Sequence, residues 1–148
     1  MGKKQQEANL ILRLYEMRRE DEFRKARQWF DTEFNPQSAE DIITLMRSGF
    51  VQTAYFRMVL TYWEMVAALV NHGAIDASLM HATNVEHLRY FAKIEPYLAD
   101  VRRAFGGDFL PELEKLARSA PDFEKRLKGW RKLNQHWVET HAQGGGAE

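Results

Sequence analysis

Between Phe50 and Val70 the chain reads FVQTAYFRMVLTYWEMVAALV, its most apolar stretch. At 100° per residue, Thr53, Arg57, Thr61, Glu64 and the following Asn71 fall in a sector of roughly 80°, and apolar side chains cover the rest. This pattern predicts a helix over 50–72, wrapped on nearly every side by other helices and carrying one narrow polar seam. Around it the helical period persists. Gln5 to Phe34 reads as one long charged helix. Asn35-Pro36 breaks the chain, and Ser38 with Asp41 three residues on supplies an N-terminal cap for a short helix to Arg47.

After the central helix, Gly73 suits the left-handed position beyond a helix end and Asp76 suits the cap of the next. Ile75 and Met80 then stand where a hydrophobic staple closes the turn. The fourth helix is expected to reach Ala92, with Pro96 opening a kinked continuation to Phe105. Gly106-Gly107 stops it, Asp108 caps a helix to Arg118, and Ser119 to Asp122 start a last helix to about Glu139. No segment alternates with period two, so no sheet is expected. The sum is an all-α fold: one domain over residues 5–139, a bundle of five to six helices around a central buried helix, with a disordered tail at 140–148.

Composition narrows the function classes. A chain of 148 residues is long enough for one self-sufficient core. Its 21 basic and 21 acidic residues balance, so no global field draws it to nucleic acid or an anionic membrane. There is no cysteine, which excludes disulfides, thiolate metal sites and cysteine nucleophiles and agrees with a cytoplasmic setting. The central stretch has the length of a membrane span, but Arg57 and Glu64 in its middle would each cost about 2.5 to 3.5 kcal/mol in lipid. No membrane association is expected.

Two segments carry a resemblance. The aromatic helix end YWEMVAALVNHGAID, paired with the charged first helix EMRREDEFRKARQWF, resembles the bacterial family called domain of unknown function 4760 over roughly residues 8–138. That resemblance implies a small all-helical bacterial domain, and it brings no established activity, ligand or catalytic residue.

Candidate chemistry therefore rests on single side chains. Arg57 and Glu64 lie about 10 Å apart along the helix axis, too far for the best direct pair. They form either a structural polar line that fixes helix register or one wall of a ligand pocket. In the pocket reading, Arg57 holds a carboxylate or phosphate, Thr61 and Glu64 line the same wall, and Tyr62 and Trp63 stand nearby. His87, on a face of the fourth helix shared with Thr83, Phe91 and Ile94, reads either as a core-edge histidine hydrogen-bonded to a neighbour or as a further ligand-binding or general-base residue. No HExxH, no Glu-x-x-His, no nucleophile elbow and no glycine-rich phosphate loop is present, so no catalytic residue, metal or cofactor is assigned.

The first helix suggests a partner surface. Leu10, Leu14 and Met17 share one face, whereas Ala26, Trp29 and Phe30 lie well round from them, and no single straight contact buries both sets. Either two different helices of the same domain cover the two halves, or one half meets a second copy or a partner helix. Together these observations predict a non-enzymatic interaction or regulatory module that self-associates, with a small-ligand domain built on the central seam as the alternative.

Overall fold

The computed structural model describes residues 2–144. Its helices are α1 (Lys3–Arg18), α2 (Asp21–Thr32), α3 (Ala39–Arg47), α4 (Val51–Asn71), α5 (Ala77–Thr83), α6 (Glu86–Ile94), α7 (Leu98–Phe105), α8 (Pro111–Arg118) and α9 (Phe123–Gly144). No β-strand occurs among the described residues. The fold class is as expected, but the helices are shorter and more numerous than the five to six anticipated.

The long first helix is two. Glu20 turns its carboxylate onto the backbone N–H groups of Glu22 and Phe23, 3.1 and 3.0 Å away, and so starts a new helix. This break removes the conflict between the two apolar stripes, because each half takes its own direction. Phe23, Ala26, Trp29 and Phe30 are all buried along α2. The fourth helix also divides: Asn84 is extended and ends α5, after which α6 begins at Glu86.

Other boundaries follow their local chemistry. Gly73 has φ +88°, and the Ala74 N–H reaches back to the Leu69 carbonyl at 2.8 Å, closing α4. Asp76 accepts from Leu79 N–H at 2.9 Å to open α5, and Ile75 and Met80 are both buried beside it. At Pro96 a single 3-10 turn, Glu95–Tyr97, joins α6 to α7. The expected cap at Asp108 is absent: α8 starts three residues later at Pro111, whose fixed φ suits a first helical position. The last helix continues past Glu139 to Gly144, so residues 140–144 of the expected tail are helical, and 145–148 lie outside the described residues.

The core is built on two helices, and the one buried on every side is α6, not the α4 helix expected from the sequence. Helix α4 packs on α2 and α8, while α6 packs on α9 and α8. Every residue of α6 is buried, including Glu86, His87, Arg89 and Lys93. In contrast α4 keeps an outer face, with Arg57, Thr61 and Met65 exposed. Aromatic rings knit the centre: Phe30 lies 4.4 Å from Tyr90 and 4.7 Å from Phe34 between ring centroids.

Candidate functional site

The outer face of α4 forms the floor of an open groove of about 540 Å3. Arg57, Thr61, Glu64 and Ala68 run along it at helical spacing, from Thr53 at one end, so the floor extends about 22 Å. Met46 of α3 makes one wall, and Phe109 and Leu110, just before α8, make the other. The Phe109 ring stacks on Phe56 at 6.4 Å and 10°, fixing that wall against the core. Two aromatic rings outside the groove lining, Phe50 and Phe105, are 68 % and 43 % exposed.

The polar seam divides between two tasks. Glu64 does not meet Arg57: its two oxygens accept from Leu113 N–H at 2.6 Å and Glu112 N–H at 3.1 Å, the free donors of the first turn of α8. Burial raises the Glu64 pKa, against the pull of these two N–H groups. Asn71 serves the same turn, donating to the Glu112 carbonyl and carboxylate at 3.0 and 2.7 Å. Thr53 is buried and donates to the Leu45 carbonyl at 2.7 Å. Thr61 donates to the carbonyl of Arg57 at 2.5 Å. The Arg57 guanidinium itself has no hydrogen bond or ion pair among the described residues.

The remaining sequence candidates stand elsewhere. Tyr62 and Trp63 point to the opposite side of α4, where the Tyr62 hydroxyl donates to the Leu14 carbonyl at 2.8 Å. Burial pushes the Tyr62 phenol up to about 12. Trp63 donates its indole N–H to Glu86 at 3.4 Å and packs on the His87 ring. Neither these two nor His87 lines the groove. On α1, Leu14 is buried, whereas Leu10 and Met17 are 37 % and 46 % exposed beside exposed Leu12 and Tyr15.

Behind Trp63 lies a charged cluster that sequence reading missed. Arg27 grips Glu86 with Nε to Oε1 at 3.0 Å and Nη2 to Oε2 at 2.8 Å, and Arg18 adds Nη1 to Oε2 at 3.0 Å. Arg89 lies 3.8 Å from Glu86 and 3.1 Å from Asp31, and is sandwiched between the Tyr90 and Trp137 rings. The signal was present in EHLRYFAKI, which places Glu86, Arg89 and Lys93 at one helical face among apolar residues. Charges at that spacing do not by themselves say whether the face meets solvent or the interior, and the cluster's partners Arg18, Arg27 and Asp31 lie more than fifty residues away in the chain.

Three side chains form a chain from surface to core: Ser119 Oγ lies 3.1 Å from His81 Nε2, and His81 Nδ1 lies 3.0 Å from His87 Nε2. His87 Nδ1 is buried with no hydrogen-bond partner among the described residues. An orphaned buried N–H is rarer than an orphaned acceptor, which assigns the proton of His87 to Nε2, donating to His81. His81 then donates from Nε2 to Ser119, whose hydroxyl proton goes to the Leu116 carbonyl at 2.6 Å. In this sequence of donors the imidazole offers Ser119 no lone pair, so the chain fastens α5 and α6 to α8 and activates no nucleophile. Among the described residues no group of three or more His, Asp or Glu side chains is placed to hold a metal ion, and no helix is long and apolar enough to cross a membrane.

A family model described as domain of unknown function (DUF4760) matches residues 5–120, and the chain belongs to that family. No curated protein and no solved structure matches it.

Proposed function

We propose that this member of the DUF4760 family is a non-enzymatic binding module whose working surface is the groove along α4. The observation that carries this reading is an apolar channel open to solvent beside a guanidinium with no partner among the described residues. Its volume lies in the range of small-molecule sites, and its walls are mainly Met, Phe and Leu. Methionine walls adapt to guests of varied shape. A bacterial cytoplasmic setting belongs to the same proposal, supported by the lack of cysteine.

Methyl-labelled methionine spectra with the neutral dye Nile red test this. Met46 and Met65 line the groove, Met80 sits in the core and Met17 is exposed on α1. The expected result is a shift of Met46 and Met65 that disappears in Thr61→Trp, where a large ring fills the channel from an exposed position. Shifts confined to Met17 would sink the groove reading.

Self-association through α1 is the second reading, supported by the exposed Leu10, Leu12, Tyr15 and Met17. Leu10 and Met17 share one side of α1 and Leu12 and Tyr15 lie on another, and this apolar surface suits a second copy or a partner helix. Light scattering that gives a monomer mass at high concentration would remove it.

A further inference from the structure

Resting on the groove reading, we infer that the occupant is an apolar monocarboxylate, a hydrocarbon or aryl acid whose carboxylate pairs with Arg57. Of the polar groups along the groove, most are already committed. Glu64 has both oxygens on the α8 backbone, Thr53 spends its proton on Leu45, and Thr61 spends its proton on the Arg57 carbonyl. What remains for a guest is the Arg57 guanidinium and, among the residues lining the loop side, the exposed carboxylate of Asp108.

That pair of groups selects a charge. A guanidinium presents a planar fork that matches a carboxylate with two parallel hydrogen bonds. Arg57 and Asp108 make no ion pair with each other, so the fork is open to a guest. With one guanidinium and one carboxylate both lining the channel, a phosphate or a dicarboxylate finds no second cation for its second negative charge, so a guest with a single negative charge is the better match. The rest of the channel asks for hydrocarbon: Met46, Phe56, Leu60, Met65 and Phe109 offer a polar body no donor and at most the weak acceptors of two thioethers. The guest is thus anionic at the Arg57 end and apolar along the floor.

Calorimetric titration of the full chain with decanoate, decanol and decyltrimethylammonium at pH 7 separates the possibilities. Decanoate is expected to bind about tenfold or more tightly than decanol, the worth of a charge-assisted hydrogen bond. Arg57→Gln should abolish that preference, bringing decanoate and decanol to similar affinities. Arg57 is exposed and unbonded, so this variant keeps its fold, which far-ultraviolet circular dichroism checks. Equal affinities for decanoate and decanol, or a preference for the ammonium, would overturn the carboxylate assignment and leave the groove standing. No binding of any of the three, with Nile red also failing to shift Met46 and Met65, would overturn the groove and the acid together.

Discussion

Arg27 and Glu86 form a two-pronged ion pair, at 3.0 and 2.8 Å, across the contact between α2 and α6. Glu86 is buried, and Arg18, with only 12 % of its side chain exposed, adds a second guanidinium. A buried carboxylate answering more than one guanidinium is a position where removing one partner strands the others. Glu86→Gln is therefore expected to destabilise the fold by about 3 to 5 kcal/mol, a large share of what a domain of this size has to lose. Urea denaturation monitored by tryptophan fluorescence measures this directly. A loss below about 1 kcal/mol would mean that the guanidiniums find water in the variant.

The two halves of the α4 seam are expected to respond differently to truncation. Glu64→Ala removes the acceptor for the first N–H groups of α8, and the cost of losing such a cap is about 0.5 to 2 kcal/mol. Arg57→Ala removes a group with no hydrogen bond or ion pair among the described residues, and its effect on stability should stay within about 0.5 kcal/mol. Paired melts of the two variants decide the matter. Equal losses would show that the arginine has a structural partner after all.

How these features relate to the sequence depends on the range of the interactions that set them. Gly73, Ile75 and Asp76 specify their turn within a few residues, and the turn forms as the pattern requires. Ser38 and Pro96 behave in the same way. Glu20 is different: its capping bonds are local, but a glutamate within a charged run carries no distinctive signal, so the break between α1 and α2 stayed hidden. The cap of α8 was illegible for another reason. It comes from Glu64, 48 residues from Glu112 in the chain, and no local pattern announces it. Arg57, Thr61 and Glu64 were legible as one face because helical periodicity alone places them. Tyr62 and Trp63 were grouped with them by adjacency, although neighbours in sequence are 100° apart on a helix and so face α1 and α6 instead.

Lys93 is expected to matter through the backbone rather than through a charge partner. Its ammonium donates to the carbonyls of Phe30 at 2.6 Å and Phe34 at 2.7 Å, with Asp31 at 3.3 Å, closing the C-terminal end of α2 from the neighbouring α6. Burial lowers its pKa to about 8, so it is still mainly charged at neutral pH. Lys93→Met keeps most of the buried hydrocarbon and removes the donor. The loss should be about 1 to 3 kcal/mol, the cost of leaving buried carbonyls without a partner. Amide exchange offers a local readout, since faster exchange at the end of α2 without change in α9 is the expected signature.

His87 gives the fold an acid sensitivity whose sign is fixed by its burial. Desolvation holds its pKa down to about 3, with His81, Arg126 and Arg18 adding repulsion, and the His81 pKa is lowered chiefly by desolvation and then by Arg126. In the unfolded chain the same imidazoles take up a proton near pH 6.5, so below that point the unfolded state binds more protons than the native one. Their contribution is fully present above pH 6.5 and is lost as the pH falls from 6.5 toward 3. Asp31 and Glu64, whose pKa values burial raises, pull the other way in the lower part of this window. Subtracting the profile of His87→Phe from that of the wild type isolates the histidine. Between pH 6.5 and 3.5 the wild type should lose on the order of 3 kcal/mol more than the variant. Parallel profiles would show that His87 is free to take up a proton inside the fold, and the assigned chain of donors from His87 through His81 to Ser119 would fall with them.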